Sequence, residues 1–185
     1  MLKKLVLVLC CTLLTTRQLP ATETPRVILN TSQGSVEVEL YPQQAPITVA
    51  NFLAYIRSGF YTDTLFHRII PGYVIQGGGF DHHFTPKASG APIRNEADNG
   101  LHNIRGTLAM ARTRQVDSAT SQFYINLRDN TALDHDQRDF GYAVFGRVVR
   151  GMDVIDHIAE TPTYRQNGMS DVPVTPVTLL SAEEK

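Results

Sequence analysis

The sequence predicts a mainly β fold, a closed eight-stranded antiparallel β-barrel capped by two α-helices. Three observations predict it. Eight short segments carry β-branched residues or strict alternation, at 26–30, 35–40, 65–70, 73–76, 107–111, 122–126, 143–149 and 177–180. Only two stretches have helical periodicity. The 185 residues contain no repeat, low-complexity tract or linker that would divide the chain, so one domain is expected. Eight antiparallel strands can close into a barrel whose interior is filled by side chains.

Each element has its own signature. Residues 26–30 (RVILN) are β-branched, and 35–40 alternate Val36, Val38 and Leu40 with Glu37 and Glu39. Alternation of period two marks a strand with one buried face. The Gly-containing turn between them predicts an antiparallel hairpin. Pro46 then opens a helix, a residue suited to the first turn, with Ile47, Ala50, Phe52, Leu53 and Ile56 on one face and Gly59 as its stop. Met152, Ile155 and Ile158, three apart, predict a second helix over 152–159. On the strand at 122–126, Gln122 and Tyr124 share one face while Phe123 and Ile125 share the other.

The N-terminus reads differently. Lys3 and Lys4 precede an apolar run over 5–14, then polar residues and Leu19-Pro20-Ala21. This is the layout of a secretory signal, with residues 1–21 removed after Ala21 and residues 22–185 forming the domain. The run is too short to span a membrane. Cleavage would remove both cysteines, Cys10 and Cys11, leaving no thiol chemistry. A lipid anchor on Cys10 or Cys11 is the alternative, although neither is preceded by a small residue. The formal net charge of −1 gives no basic surface of the kind nucleic-acid binding needs. With neither a heptad pattern nor a long apolar surface run, a monomer is expected.

Three dense stretches carry chemistry: FHRIIPGYVIQGGGF over 66–80, TLAMARTRQVDSATSQFYINL over 107–127, and ALDHDQRDFGYAVFGRVVRGMDVID over 132–156. Their order and spacing resemble the cyclophilin-type peptidyl-prolyl cis–trans isomerases over roughly residues 25–181. The stretches EADNGL from Glu96 and QRDFGYAVFG from Gln137 look most like the bacterial secreted branch. The resemblance implies an isomerase of X–Pro bonds in exported proteins, working in the periplasm on unfolded or partly folded proline-containing polypeptides. A module that binds proline segments as a chaperone, with catalysis incidental, is the competing reading. A surface-exposed adhesin or virulence role rests on the signal alone.

The reaction defines what a catalyst needs. Rotation about the X–Pro bond breaks amide resonance, whose barrier is roughly 18–20 kcal/mol. A catalyst needs an apolar pocket for the ring and a fixed donor that binds the twisted amide better than either planar form. No bond to the substrate and no metal, nucleotide or redox cofactor are required. An arginine suits the donor role, being always charged and rigidly forked. By resemblance Arg68 is the catalytic arginine. Gln76 and Gln122 contact the substrate backbone. Tyr73, Val74, Tyr124, Leu133 and Tyr142 line the proline pocket, and Ala111 and Arg112 contact the residues before the proline.

This chain departs from the family at several of these positions. Tyr73 and Tyr124 stand where phenylalanine is common, and each adds a hydroxyl that needs a partner. Val74 replaces methionine. Tyr142 and Arg112 replace the histidine and asparagine of many eukaryotic members. Ala132 stands where those members carry a tryptophan that contacts cyclosporin A, so weak binding of that drug is expected. His82, His83, His102, His135 and Asp136 match no ligand spacing, and His82 and His83 as strand neighbours should point apart. Gly77, Gly78 and Gly79 are not followed by the Lys-Ser/Thr of a phosphate loop. Ser121 lacks a hydrolase context. His67 should face away from Arg68 and pack.

Overall fold

The computed structural model describes residues 24–166 and 168–185. The expected signal peptide, its cleavage point and both cysteines lie outside the described residues. Strands β1 (Arg26–Thr31) and β2 (Gly34–Leu40) lead into helix α1 (Pro46–Arg57). Short strands β3 (Thr64–Leu65), β4 (Arg68–Ile70), β5 (Val74–Gly77), β6 (Thr107–Met110) and β7 (Phe123–Asn126) follow. A 3-10 turn at Thr131–Leu133 precedes β8 (Val144–Arg150), helix α2 (Met152–Ala159), β9 (Thr163–Gln166), β10 (Met169–Pro173) and β11 (Thr178–Glu184).

The architecture is mainly β with two helices, as expected, but the sheet differs in two respects. It is a curled antiparallel sheet of nine strands in the order β3-β11-β1-β2-β8-β6-β7-β5-β4, not a closed barrel of eight. The expected strand at 65–70 is broken. β3 pairs with β11 and β4 with β5, while Phe66 and His67 between them leave the ladder. The Phe66 amide donates to the Val177 carbonyl at 2.9 Å. The two ends of the sheet are therefore bridged by the chain, not by strand pairing. A separate hairpin of β9 and β10 was not expected, because β9 buries neither face and so shows no alternation.

The core fills the concave side. Val27, Leu29, Val36, Val38, Ile69, Ile75, Leu108, Phe123, Ile125 and Phe145 form one cluster there with the buried residues of α1 and α2. Phe52 of α1 sits among Tyr61, Phe123 and Phe145, with ring centroids 5.0–5.4 Å apart. Both ends of α1 are held by specific groups. Ala45 offers no side-chain cap. Instead the buried Glu96 accepts from the Ile47 and Thr48 amides at 3.1 and 2.8 Å and from the Thr48 hydroxyl at 2.7 Å, satisfying donors that a helix start leaves open. At the other end Gly59 adopts φ +68. Its amide bonds the Ile56 carbonyl and that of Phe60 bonds Tyr55, a Schellman close sealed by Phe60 against Tyr55 at 4.6 Å. Among the described residues, no helix is long and apolar enough to cross a membrane.

Candidate active site

Strand register builds the site. Arg68 lies opposite Gln76, Gln76 opposite Tyr124, Tyr124 opposite Ala109, and Ala109 opposite Val144. Opposed residues share a face, so this row runs across the convex side of four neighbouring pairs. The next row, Ile69, Ile75, Ile125 and Leu108, falls on the core side. The convex row carries a second, smaller apolar cluster of Val74, Ala109, Tyr124 and Val144, against which Tyr73, Leu101, Ala111, Leu133 and Tyr142 pack.

Above this cluster opens a cavity of about 130 Å³, lined by Arg68, Tyr73, Val74, Gln76, Ala111, Arg112, Tyr124, Leu133 and Tyr142. It has room for a ring of pyrrolidine size. Nine of the ten site residues expected from the sequence thus surround one hollow. The tenth, Gln122, adjoins it, accepting from Gln76 Nε2 at 2.9 Å. Gln76 in turn accepts from Arg68 Nη1 at 3.3 Å. Gly79 leaves the space that Gln122 occupies: a Cβ there would stand 2.5 Å from Gln122 Cγ. The lining offers two guanidinium cations, the Gln76 amide and apolar rings.

The hydroxyl of Tyr124 finds its partner beneath the pocket. It donates to Asn103 Oδ1 at 2.8 Å, and burial raises its pKa well above 10, so it stays a neutral donor. Asn103, fully buried, donates through Nδ2 to Asp134 Oδ1 at 3.0 Å and the Leu133 carbonyl at 3.2 Å. It thereby ties the pocket floor to the pocket wall. The Tyr142 amide bonds the Leu133 carbonyl, which pairs the two wall residues. Nothing local in LHNIR marks Asn103 as this hub.

Arg112 is only 5% exposed in its side chain. Its Nε donates to the Gly141 carbonyl and Nη1 to that of Thr113, Nη2 pairs with Asp139, and the guanidinium stacks 4.6 Å above Tyr142. Arg112 therefore fixes the wall that carries Tyr142. His67 is packed, as expected, 4.6 Å from Phe80. Its Nδ1 has no hydrogen-bond partner among the described residues. Burial pulls its pKa down to about 4; the Leu65 backbone opposes this and Arg68 adds to it.

His82 and His83 do not point apart. Their ring centroids lie 3.8 Å apart with the planes tilted by 47°, because Asp81 accepts from the His83 and Thr85 amides and turns the chain where a strand was assumed. Among the described residues, no three His, Cys, Asp or Glu side chains are grouped to hold a metal.

Residues 26–184 match the family model for cyclophilin type peptidyl-prolyl cis-trans isomerase/CLD. The chain is a member of the cyclophilin family. Peptidyl-prolyl cis-trans isomerase A of Dickeya dadantii (strain 3937) is 53% identical over 163 residues, covering 88% of this chain and 86% of that one. Peptidyl-prolyl cis-trans isomerase of Acinetobacter baylyi is 49% identical across 100% of this chain and 97% of its own. A crystal structure of a Cryptosporidium parvum cyclophilin type isomerase superposes with a TM-score of 0.76 at 27% identity, covering 88% of this chain and 98% of that one. A crystal structure of that isomerase in the presence of the dipeptide ala-pro gives 0.73 at 28% identity, covering 85% and 96%. This cyclophilin is accordingly an enzyme, a peptidyl-prolyl cis–trans isomerase.

Proposed function

We propose that this cyclophilin isomerises X–Pro bonds in exported polypeptides as they fold, with Arg68 as the catalytic residue. The observation that carries the assignment is a guanidinium at the rim of a small apolar cavity, braced by Gln76. The proline ring enters between Val74, Tyr124, Leu133 and Tyr142. Arg68 then donates to the prolyl carbonyl and favours a pyramidal, deconjugated nitrogen. Gln76 and Gln122 align the peptide backbone, and Tyr73, Ala111 and Arg112 border its approach. The interaction strengthens as the amide twists, which is what lowers a barrier. No covalent intermediate forms, and no cofactor takes part.

The test compares residues 22–185 with the same chain carrying Arg68→Ala, following cis-to-trans conversion of a short proline peptide. A folded variant that loses about a hundredfold, about 2.7 kcal/mol of barrier lowering, is expected. If neither protein accelerates the reaction although both fold, the module holds proline segments without turning them.

The export reading rests on the basic and apolar pattern of residues 1–21 and makes the protein periplasmic. Protein recovered from the periplasm should begin at Thr22; recovery from the cytosol beginning at Met1 contradicts the reading. The protein acts as a monomer, which size-exclusion chromatography with light scattering checks. Ala132 is exposed on its 3-10 turn and supplies neither the apolar wall nor the N–H of an indole. Cyclosporin A therefore binds weakly, and a submicromolar inhibition constant contradicts this.

A further inference from the structure

The β9–β10 hairpin is not laddered into the main sheet, yet β10 lies against β4, the strand that carries Arg68. The pairing of β10 with β9 slips between Met169 and Val172, and Asp171 falls in that irregular step with φ +62. A bulge of this kind re-aims a side chain. Here the side chain meets the outer edge of Arg68: Asp171 Oδ2 is 3.7 Å from Arg68 Nε. Arg68 Nη1 is meanwhile bonded to Gln76 Oε1 at 3.3 Å. The guanidinium is thus flanked at two points of its planar fork, by a carboxylate at ion-pair distance from the Nε edge and an amide hydrogen-bonded to Nη1.

We infer that Asp171 is a positioning residue for Arg68, its carboxylate holding the guanidinium plane in the orientation that the twisting prolyl carbonyl needs. The inference rests on the catalytic reading of Arg68. Asp171 acts through Arg68 and not on the substrate. A guanidinium on a long flexible side chain, 41% exposed, would otherwise sample several rotamers, and fixed donors are the ones that stabilise a transition state without reorganising. Because the pair is partly solvated, its effect is modest and sensitive to salt.

The experiment measures kcat and KM for a short Xaa-Pro peptide with the wild type, Asp171→Asn, Asp171→Gly and Arg68→Ala. Asparagine keeps the shape without the charge. Glycine accepts the positive φ without strain, so the fold survives. Both Asp171 variants should lose about fivefold in kcat with KM unchanged and thermal stability at or above the wild type for Asp171→Gly. Raising ionic strength from about 0.05 M to about 1 M should bring the wild type down toward the variants and leave the variants flat. Unchanged kcat in both variants overturns the inference, as does a loss confined to KM, which would make Asp171 a substrate contact. If Arg68→Ala keeps full activity, the reading of Arg68 itself fails. If Arg68→Ala is inactive and the Asp171 variants are wild type, only the positioning role fails.

Discussion

Along β7, Phe123 and Ile125 are completely buried in the core, while Tyr124 between them turns its ring to the pocket and its hydroxyl to Asn103. β5 repeats the division, with Ile75 inside and Val74 and Gln76 outside. The two faces are held by different forces. The concave face is dispersion and removal of apolar surface from water, non-directional and proportional to area. The convex face adds to its small apolar cluster a sparse set of directional contacts with residues elsewhere in the chain: Asn103, Asp134, Asp139 and Asp171. One sheet thus lends rigidity from its packed side to the candidate site on the other, as precise sites require.

The division is most strongly tested on the concave side. Phe52→Ala removes a ring at the centre of three other aromatic side chains and should cost about 3–5 kcal/mol. Denaturant melts check the loss, and the remaining folded protein should turn over peptide at the wild-type rate. Lost turnover in a fully folded Phe52→Ala would mean that the faces are not separable.

His67 sits at the boundary, one residue before Arg68 but packed. Its pKa falls from 6.5 to about 4 on folding, so the unfolded chain takes up the proton first as pH drops. Stability is full above about pH 6.5 and is lost between about 6.5 and 4, on the order of 3 kcal/mol. Chemical denaturation at several pH values across that window checks this, and His67→Leu should flatten that part of the profile. A wild type equally stable at both ends of the window contradicts the buried neutral imidazole.

The smallest effect belongs to the convex side. Gly79→Ala drives a methyl into Gln122 and uncouples it from Gln76. Peptide turnover should fall about tenfold while stability changes by about 1 kcal/mol or less. A tenfold loss with Gln122 still bonded to Gln76 in the variant's structure would refute that cause.

The concave face was largely legible in the sequence. Val36, Val38 and Leu40 alternate, Met152, Ile155 and Ile158 recur at helical spacing, and each lies where that periodicity predicts. The ten site residues were named from ordered motifs, and nine of them line one cavity. Their roles await the kinetics above. Period-based reading missed whatever depends on a partner far along the chain. The break at Phe66 and His67 reflects the curl of the sheet, which no local pattern encodes. Strand β11 extends to Glu184 because β1 supplies its ladder, although its end is charged. Glu96 caps a helix start 49 residues away, and Asp171 reaches Arg68 from a hairpin without a buried stripe.

The two faces meet most closely at Ile75 and Gln76, adjacent on β5. The most direct measurement takes Ile75→Ala and Gln76→Ala through the same two assays, denaturant unfolding and peptide isomerisation. Ile75→Ala should lose about 2–5 kcal/mol of stability and keep its turnover per folded molecule. Gln76→Ala should keep its stability within about 1 kcal/mol and lose about tenfold or more in turnover. If both variants lose stability and turnover in parallel, core and catalytic surface are one structure, and the division of labour across the sheet is wrong.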